Sequence, residues 1–163
     1  MFPKVFQPTT GEELQQWIPN ATIINYSELK NYNILPKLPI ILLYEIKKGF
    51  GHWVTILRTP EGIEHFDSYG FVPDDELSFV PEYFKYESNQ NYKYLLNLLY
   101  ESGEQINYNP YPLQKGDNTA TCGRWAVLRN LFNYLTTDQF AKMINKTSKQ
   151  LNITSDELVS LAI

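Results

Sequence analysis

The sequence predicts an α+β domain, a small central mixed sheet carrying a hairpin and flanked by helices. Three observations carry this. Capping boxes of the type Thr-x-x-Glu/Gln stand at Thr10–Glu13, Thr136–Gln139 and Thr154–Glu157, so helices start near both ends of the chain. Between them lie strand-sized apolar runs punctuated by Pro- and Gly-marked turns. The single cysteine of the 163 residues, Cys122, sits where a polar loop gives way to apolar residues at roughly helical spacing.

The elements follow in chain order. Residues 1–163 read as one domain without internal repeat, low-complexity tract or linker. The Thr10 box opens a short helix with Leu14, Trp17 and Ile18 inward, closed by Pro19, and Ser27–Lys30 suits one helical turn. Pro36 and Pro39 bracket a loop into a buried strand, Ile40–Ile46, and Lys47–Gly51 is a turn. The hairpin comprises 52–58 and 63–67, joined by Thr59-Pro-Glu-Gly62, with proline and glycine where a type I turn prefers them. Pro73–Leu77 suits a helical turn limited by Pro81, and Glu87–Glu101 reads as one helix with Tyr94, Leu95, Leu98 and Leu99 inside and Gly103 as its stop. Ile106–Gln114 is extended, its two prolines suiting an edge strand. Gly116-Asp117-Asn118-Thr119 is loop, and Trp125, Val127, Leu128, Leu131, Phe132 and Leu135 make the Cys122 helix a buried one. The last two helices face inward with Phe140, Met143 and Ile144, and with Leu158, Leu161 and Ala162.

Composition excludes several functions. Net charge is −4 with scattered basic residues, which gives no electrostatic case for nucleic-acid binding. One cysteine excludes an internal disulfide and a cysteine-rich zinc site, so neither metal nor cofactor is expected. No basic-then-apolar leader is present and no apolar run approaches about 18 residues. The expectation is a soluble monomer inside a cell or a virion, not secreted and without a membrane partner.

The chemistry centres on Cys122. A thiol at a helix N-terminus faces unpaired N–H groups and the positive end of the helix dipole, both of which favour the thiolate. A cysteine nucleophile also needs a base, and the base a third group to orient it. The candidates for base are His52 and His65. A four-residue turn sets Arg58 opposite Ile63, so His52 and Asp67 share a face as diagonal neighbours. His65 falls on that face too, so parity does not choose between the histidines.

Gly51-His52-Trp53-Val, then Phe66-Asp67-Ser-Tyr-Gly70, then Gln114 with Asn118, Cys122 and Gly123 resemble the adenovirus-type (adenain-like) and ubiquitin-like-protein-processing cysteine proteases. The order His, acid, Gln, Cys is that family's, the reverse of papain-like enzymes, and the matching motifs run from about residue 40 to 135. The resemblance implies His52 as general base, Asp67 as its orienting acid and Cys122 as nucleophile. It implies that Gln114 joins the Cys122 backbone N–H in an oxyanion hole. It sets Gly51, Trp53 and Gly123 against the substrate: Gly123 admits it to the helix start and Trp53 shields the His–Asp pair, tight helix packing and core packing being the other readings.

The activity so implied is a thiol endopeptidase of viral type that trims structural or capsid precursors at Gly-containing junctions during particle maturation. The alternatives are a deconjugating protease for ubiquitin-like modifiers, an acetyltransferase of the same fold, and a non-catalytic binding domain. Thr121 stands where many ubiquitin-like proteases carry Asp, and adenoviral members have a small residue. The lone cysteine leaves no second thiol for a disulfide-linked activating peptide, and the acidic balance does not favour activation by DNA, so neither cofactor is carried over.

Overall fold

The structure, a computed structural model, describes residues 3–116 and 118–163. Asp117, read above as loop, lies outside the described residues. Among them, five strands form one mixed sheet flanked by helices, its strands side by side in chain order. β1 (Thr22–Asn25) runs parallel to β2 (Ile40–Lys47), which is antiparallel to β3 (Phe50–Thr59). β3 turns into β4 (Gly62–Phe66), and β5 (Ile106–Tyr108) lies parallel to β4.

Residue alternation along β2 and β3 gives the sheet two apolar faces. Ile40, Leu42, Val54 and Ile56 look to one side, where Tyr26, Leu77 and α3 (Tyr94–Glu101, through Leu95 and Leu99) cover them. Ile41, Leu43, Trp53 and Leu57 look to the other, covered by α1 (Gly11–Trp17), α4 (Cys122–Leu131), α5 (Thr137–Leu151) and α6 (Ser155–Ala162). All three capping boxes form: in α1 the Glu13 N–H donates to Thr10 Oγ1 at 3.2 Å, and α5 and α6 repeat the pattern. No helix among the described residues is long and apolar enough to cross a membrane.

Several elements differ from the expectation. β1 was not foreseen, because four residues are too few to show a period. Of the helix expected over Glu87–Glu101 only α3 (Tyr94–Glu101) forms; a separate helix, α2 (Glu82–Glu87), ends where it was to begin, and Asn89 between them is left-handed with φ of 53°. The break has a use, since the Gln90 amide substitutes for a strand at β2, accepting from Glu45 N–H at 3.0 Å and donating to Glu45 carbonyl at 2.8 Å. The extended stretch 106–114 is sheet only over β5. α4 stops at Leu131, leaving that side chain 51% exposed, and in α6 Val159 rather than Leu161 faces inward.

Candidate active site

The hairpin register sets the first two groups. Arg58 pairs with Ile63, as the turn predicts, and the ladder ends at Thr55–Phe66. The chain then bends, and buried Asp67 sits in that bend with its carbonyl accepting from Gly70 N–H and the Asn109 amide, both at 2.9 Å. Its Oδ1 accepts from Tyr69 N–H at 2.8 Å and from His52 Nε2 at 2.9 Å. The Tyr69 ring stacks on the His52 ring with centroids 4.7 Å apart, fixing the plane of the imidazole.

Cys122 arrives from the opposite face. It is the first residue of α4, whose leading N–H groups have no partner within the helix. β4 has ended opposite Thr55, and beyond that point the Trp53 backbone N–H donates to Cys122 Sγ at 3.4 Å. The His52 imidazole is close enough for its charge and that of the thiol to act on each other. Because Nε2 is held by Asp67, Nδ1 is the nitrogen left for the sulfur. Cys122 is buried, with 9% of the residue exposed.

Each titration follows from these contacts. Burial alone would raise the Cys122 thiol, but the His52 imidazolium and the Trp53 N–H outweigh it and hold the thiol below its ordinary value. Burial would lower His52, but the charges of Asp67 and Cys122 and the hydrogen bond to Asp67 keep it well above the usual imidazole range. Asp67, which burial would raise, is held below the carboxylate range chiefly by His52. Each of the three shifts favours the charged form of its group. His65 is the opposite case. It is fully buried, neither ring nitrogen has a partner among the described residues, and burial pushes it down to about 4. Geometry thus separates two histidines that strand parity could not.

The remaining residues singled out by sequence have other contacts. Gln114 is buried; its amide oxygen accepts from Ser68 Oγ at 2.7 Å, and its nitrogen donates to the Thr119 carbonyl at 3.2 Å and Thr119 Oγ1 at 3.0 Å. The carboxamide therefore braces the loop that leads to Cys122. Trp53 packs on the α4 side, away from the His52 face, and its indole N–H donates to the Thr9 carbonyl at 3.0 Å. It is core packing, not a shield over the His–Asp pair. Gly123 meets Thr9: a Cβ there would stand 2.7 Å from Thr9 Cβ, so its smallness serves the N-terminal segment. Gly51 lies at the β2–β3 bulge, where a Cβ would fall 1.7 Å from the Tyr44 carbonyl oxygen.

Sequence reading missed two residues here. Asp156 at the start of α6 is buried and accepts from Lys115 N–H at 3.0 Å, Thr121 Oγ1 at 2.7 Å and Trp125 Nε1 at 3.3 Å, tying both ends of the pre-nucleophile loop. An acid in a first helical turn reads as an exposed partner of the helix dipole, so nothing in the sequence marked it. Glu76, in the 3-10 turn Asp75–Phe79, has Oε1 3.5 Å from His52 Nε2. His52, Asp67 and Glu76 set one ligand atom each within 4.8 Å of one another. A tetrahedral ion with bonds of about 2.0–2.2 Å spreads its ligands to roughly 3.4 Å. The 2.9 Å Nε2–Oδ1 contact is closer than that and fits a hydrogen bond better than a shared cation.

Fold and site together define a class, an α+β protein carrying a thiol, an imidazole and a buried carboxylate in one coupled group. No family model and no solved structure matches the chain. It is 37% identical over 148 residues to "Uncharacterized protein V9" of Sputnik virophage, an alignment covering 86% of this chain and 85% of that protein. The chain belongs to the family of that virophage protein, and the relationship points to a viral origin.

Proposed function

We propose that the protein is a thiol endopeptidase that cuts structural precursor proteins during virus particle maturation. The observation that carries this is the coupled group itself: a cysteine opening α4, whose thiol is linked to an imidazole held 2.9 Å from a buried carboxylate. The virophage relative supplies the viral context, and the motif resemblance supplies the reaction and the Gly-containing junctions.

In this reading His52 Nδ1 takes the Sγ proton and the thiolate attacks the scissile carbonyl carbon. A C–S bond forms as the carbonyl π pair moves onto oxygen. The oxyanion accepts hydrogen bonds from the Cys122 backbone N–H and the Gln114 carboxamide, which must release one of its N–H groups from Thr119 to do so. Collapse of the intermediate breaks the C–N bond, and the imidazolium gives its proton to the departing amine. Water, deprotonated by His52, then attacks the thioester, releasing the new carboxyl terminus and restoring the thiol. Asp67 keeps Nε2 protonated and stabilises the imidazolium throughout.

The test is incubation of wild-type and Cys122→Ala protein with virion structural precursors and, separately, with ubiquitin-like conjugates, scored by mass spectrometry. Precursor cleavage by the wild type alone is the expected result. Cleavage of the conjugates alone makes the protein a deconjugating protease, and a folded protein that cuts neither overturns the reading.

A further inference from the structure

Glu76 belongs to no part of the mechanism above, yet it is built into the same group. It is 6% exposed, its Oε1 lies 3.5 Å from His52 Nε2, and an oxygen of Asp67 completes the 4.8 Å group. Two oxygens here, Asp67 Oδ2 and Glu76 Oε1, are buried without a partner among the described residues. Two ionised carboxylates buried together, each with an unpaired oxygen, are strongly unfavourable. One proton removes both deficits. Asp67 is the one that stays ionised, because its Oδ1 already accepts from His52 and from Tyr69 N–H. The proton therefore resides on Glu76.

We propose that Glu76 is a protonated positioning residue, donating its O–H to Asp67 Oδ2 and so keeping Asp67 Oδ1 on His52 Nε2. This rests on reading Cys122, His52 and Asp67 as the reactive group. A neutral donor suits the place: it holds Asp67 by a hydrogen bond without adding a second negative charge beside the thiolate.

The surroundings agree. Burial pushes Glu76 up to about 8, and the Asp67 charge acts in the same direction against the attraction of His52. The other titratable groups around Asp67 and His52 are His65 on β4, Tyr69 in the bend after it and, from the opposite face, Cys122 on α4. On β2, which packs on the Glu76 turn, Tyr44 is bonded to Asp74 Oδ1 and Glu45 to the Gly49 N–H. Neither is free to serve Glu76. The neighbouring Asp74 is occupied by Tyr26, Tyr44 and the Leu96 N–H.

The experiment compares wild type, Glu76→Gln and Glu76→Ala. The carboxyl of Glu76 is followed by carbon NMR of glutamate-labelled protein, with Glu76→Gln identifying the resonance. A midpoint near 8 is expected, and a midpoint near the ordinary 4.5 overturns the proposal. Turnover gives the second readout. Gln keeps the donor, so Glu76→Gln should retain kcat at pH 7 and lose the part of the alkaline decline that sets in near pH 8, where Glu76 ionises. Glu76→Ala should lower kcat by about tenfold or more with little change in KM. A Gln variant as slow as the Ala variant, or an Ala variant as fast as wild type, overturns the proposal. If Glu76→Ala does not fold by circular dichroism, the titration and the Gln variant decide. If no substrate is cut at all, the endopeptidase reading fails while the carboxyl titration still tests Glu76.

Discussion

Glu64 and Asp67 stand three residues apart, in the middle of β4 and just beyond its end, both fully buried, yet their surroundings are opposites. Glu64 is saturated. Arg129 Nε and one terminal nitrogen reach its two oxygens at 2.8 and 3.2 Å, and Thr137 Oγ1 donates to it as well. The other donors of Arg129 go to the Phe132 and Leu135 carbonyls, both at 2.9 Å. The result bolts β4 to the end of α4 and the start of α5. Asp67 instead shares its space with two histidines and a second acid, and Asp67 Oδ2, Glu76 Oε1 and both His65 nitrogens lack partners among the described residues. Burial without full hydrogen bonding costs stability, and folds tolerate it mainly where function needs it. The contrast separates an ion pair that holds the fold from the group proposed above to carry the reaction.

The largest effects should fall on opposite sides of that contrast. Cys122→Ala and His52→Ala should each remove turnover by about 10⁵–10⁶-fold while the protein stays folded. Arg129→Ala should leave Glu64 charged and unpaired and lower stability by roughly 3–5 kcal/mol in chemical denaturation. An Arg129→Ala protein of undiminished stability would erase the distinction. Asp67→Asn comes next, with kcat down about 10²–10⁴-fold, because the amide can still bond the imidazole but no longer stabilises imidazolium.

Gln114→Ala should reduce kcat about 10²–10³-fold if its carboxamide turns to the oxyanion. It should also cost about 1–3 kcal/mol, since the buried Ser68 hydroxyl loses its acceptor. A stability loss with unchanged kcat would leave Gln114 only as a loop brace.

His65 has the least effect at neutral pH and shows only as pH falls. Its folded pKa of about 4 lies below the ordinary 6.5, so between those values the unfolded chain binds more protons and stability rises with pH. Its contribution is fully present above about 6.5 and falls away, by about 3 kcal/mol, as pH drops toward 4. Glu76 is raised from 4.5 to about 8 and tilts stability the other way over that range. The His65 slope is therefore best read in Glu76→Gln protein, and His65→Phe should flatten it. A slope that survives His65→Phe would assign it elsewhere.

How far the sequence reaches follows from the kind of contact involved. The α+β class, the three capping boxes and the Arg58–Ile63 register were legible because each depends on residues close in sequence. So was the approach of His52 to Asp67, which sit on one hairpin. The break at Asn89 was hidden because Leu95, Leu98 and Leu99 carry a helical period whether or not the helix extends back to Glu87. The resemblance sets the side chain of Trp53 over the His–Asp pair, with core packing as the other reading, and the structure gives the second because neighbours on a strand point to opposite faces. Glu76 lies 24 residues from His52, and Asp156 lies 31 to 41 residues from Lys115, Thr121 and Trp125, and no local pattern marks such partners.

The ties to Asp156 also set an order of events during synthesis. The hairpin leaves the ribosome early and can close the His52–Asp67 contact from its own residues. The loop before Cys122 waits for α6, the last of the described helices, to supply the carboxylate that fastens Lys115 and Thr121. A nascent chain that has already exposed its thiol thus lacks the anchor that orients it. On the proposed reading Cys122 is seated late, after nearly all of the described chain has emerged, so the growing polypeptide does not yet hold an ordered site.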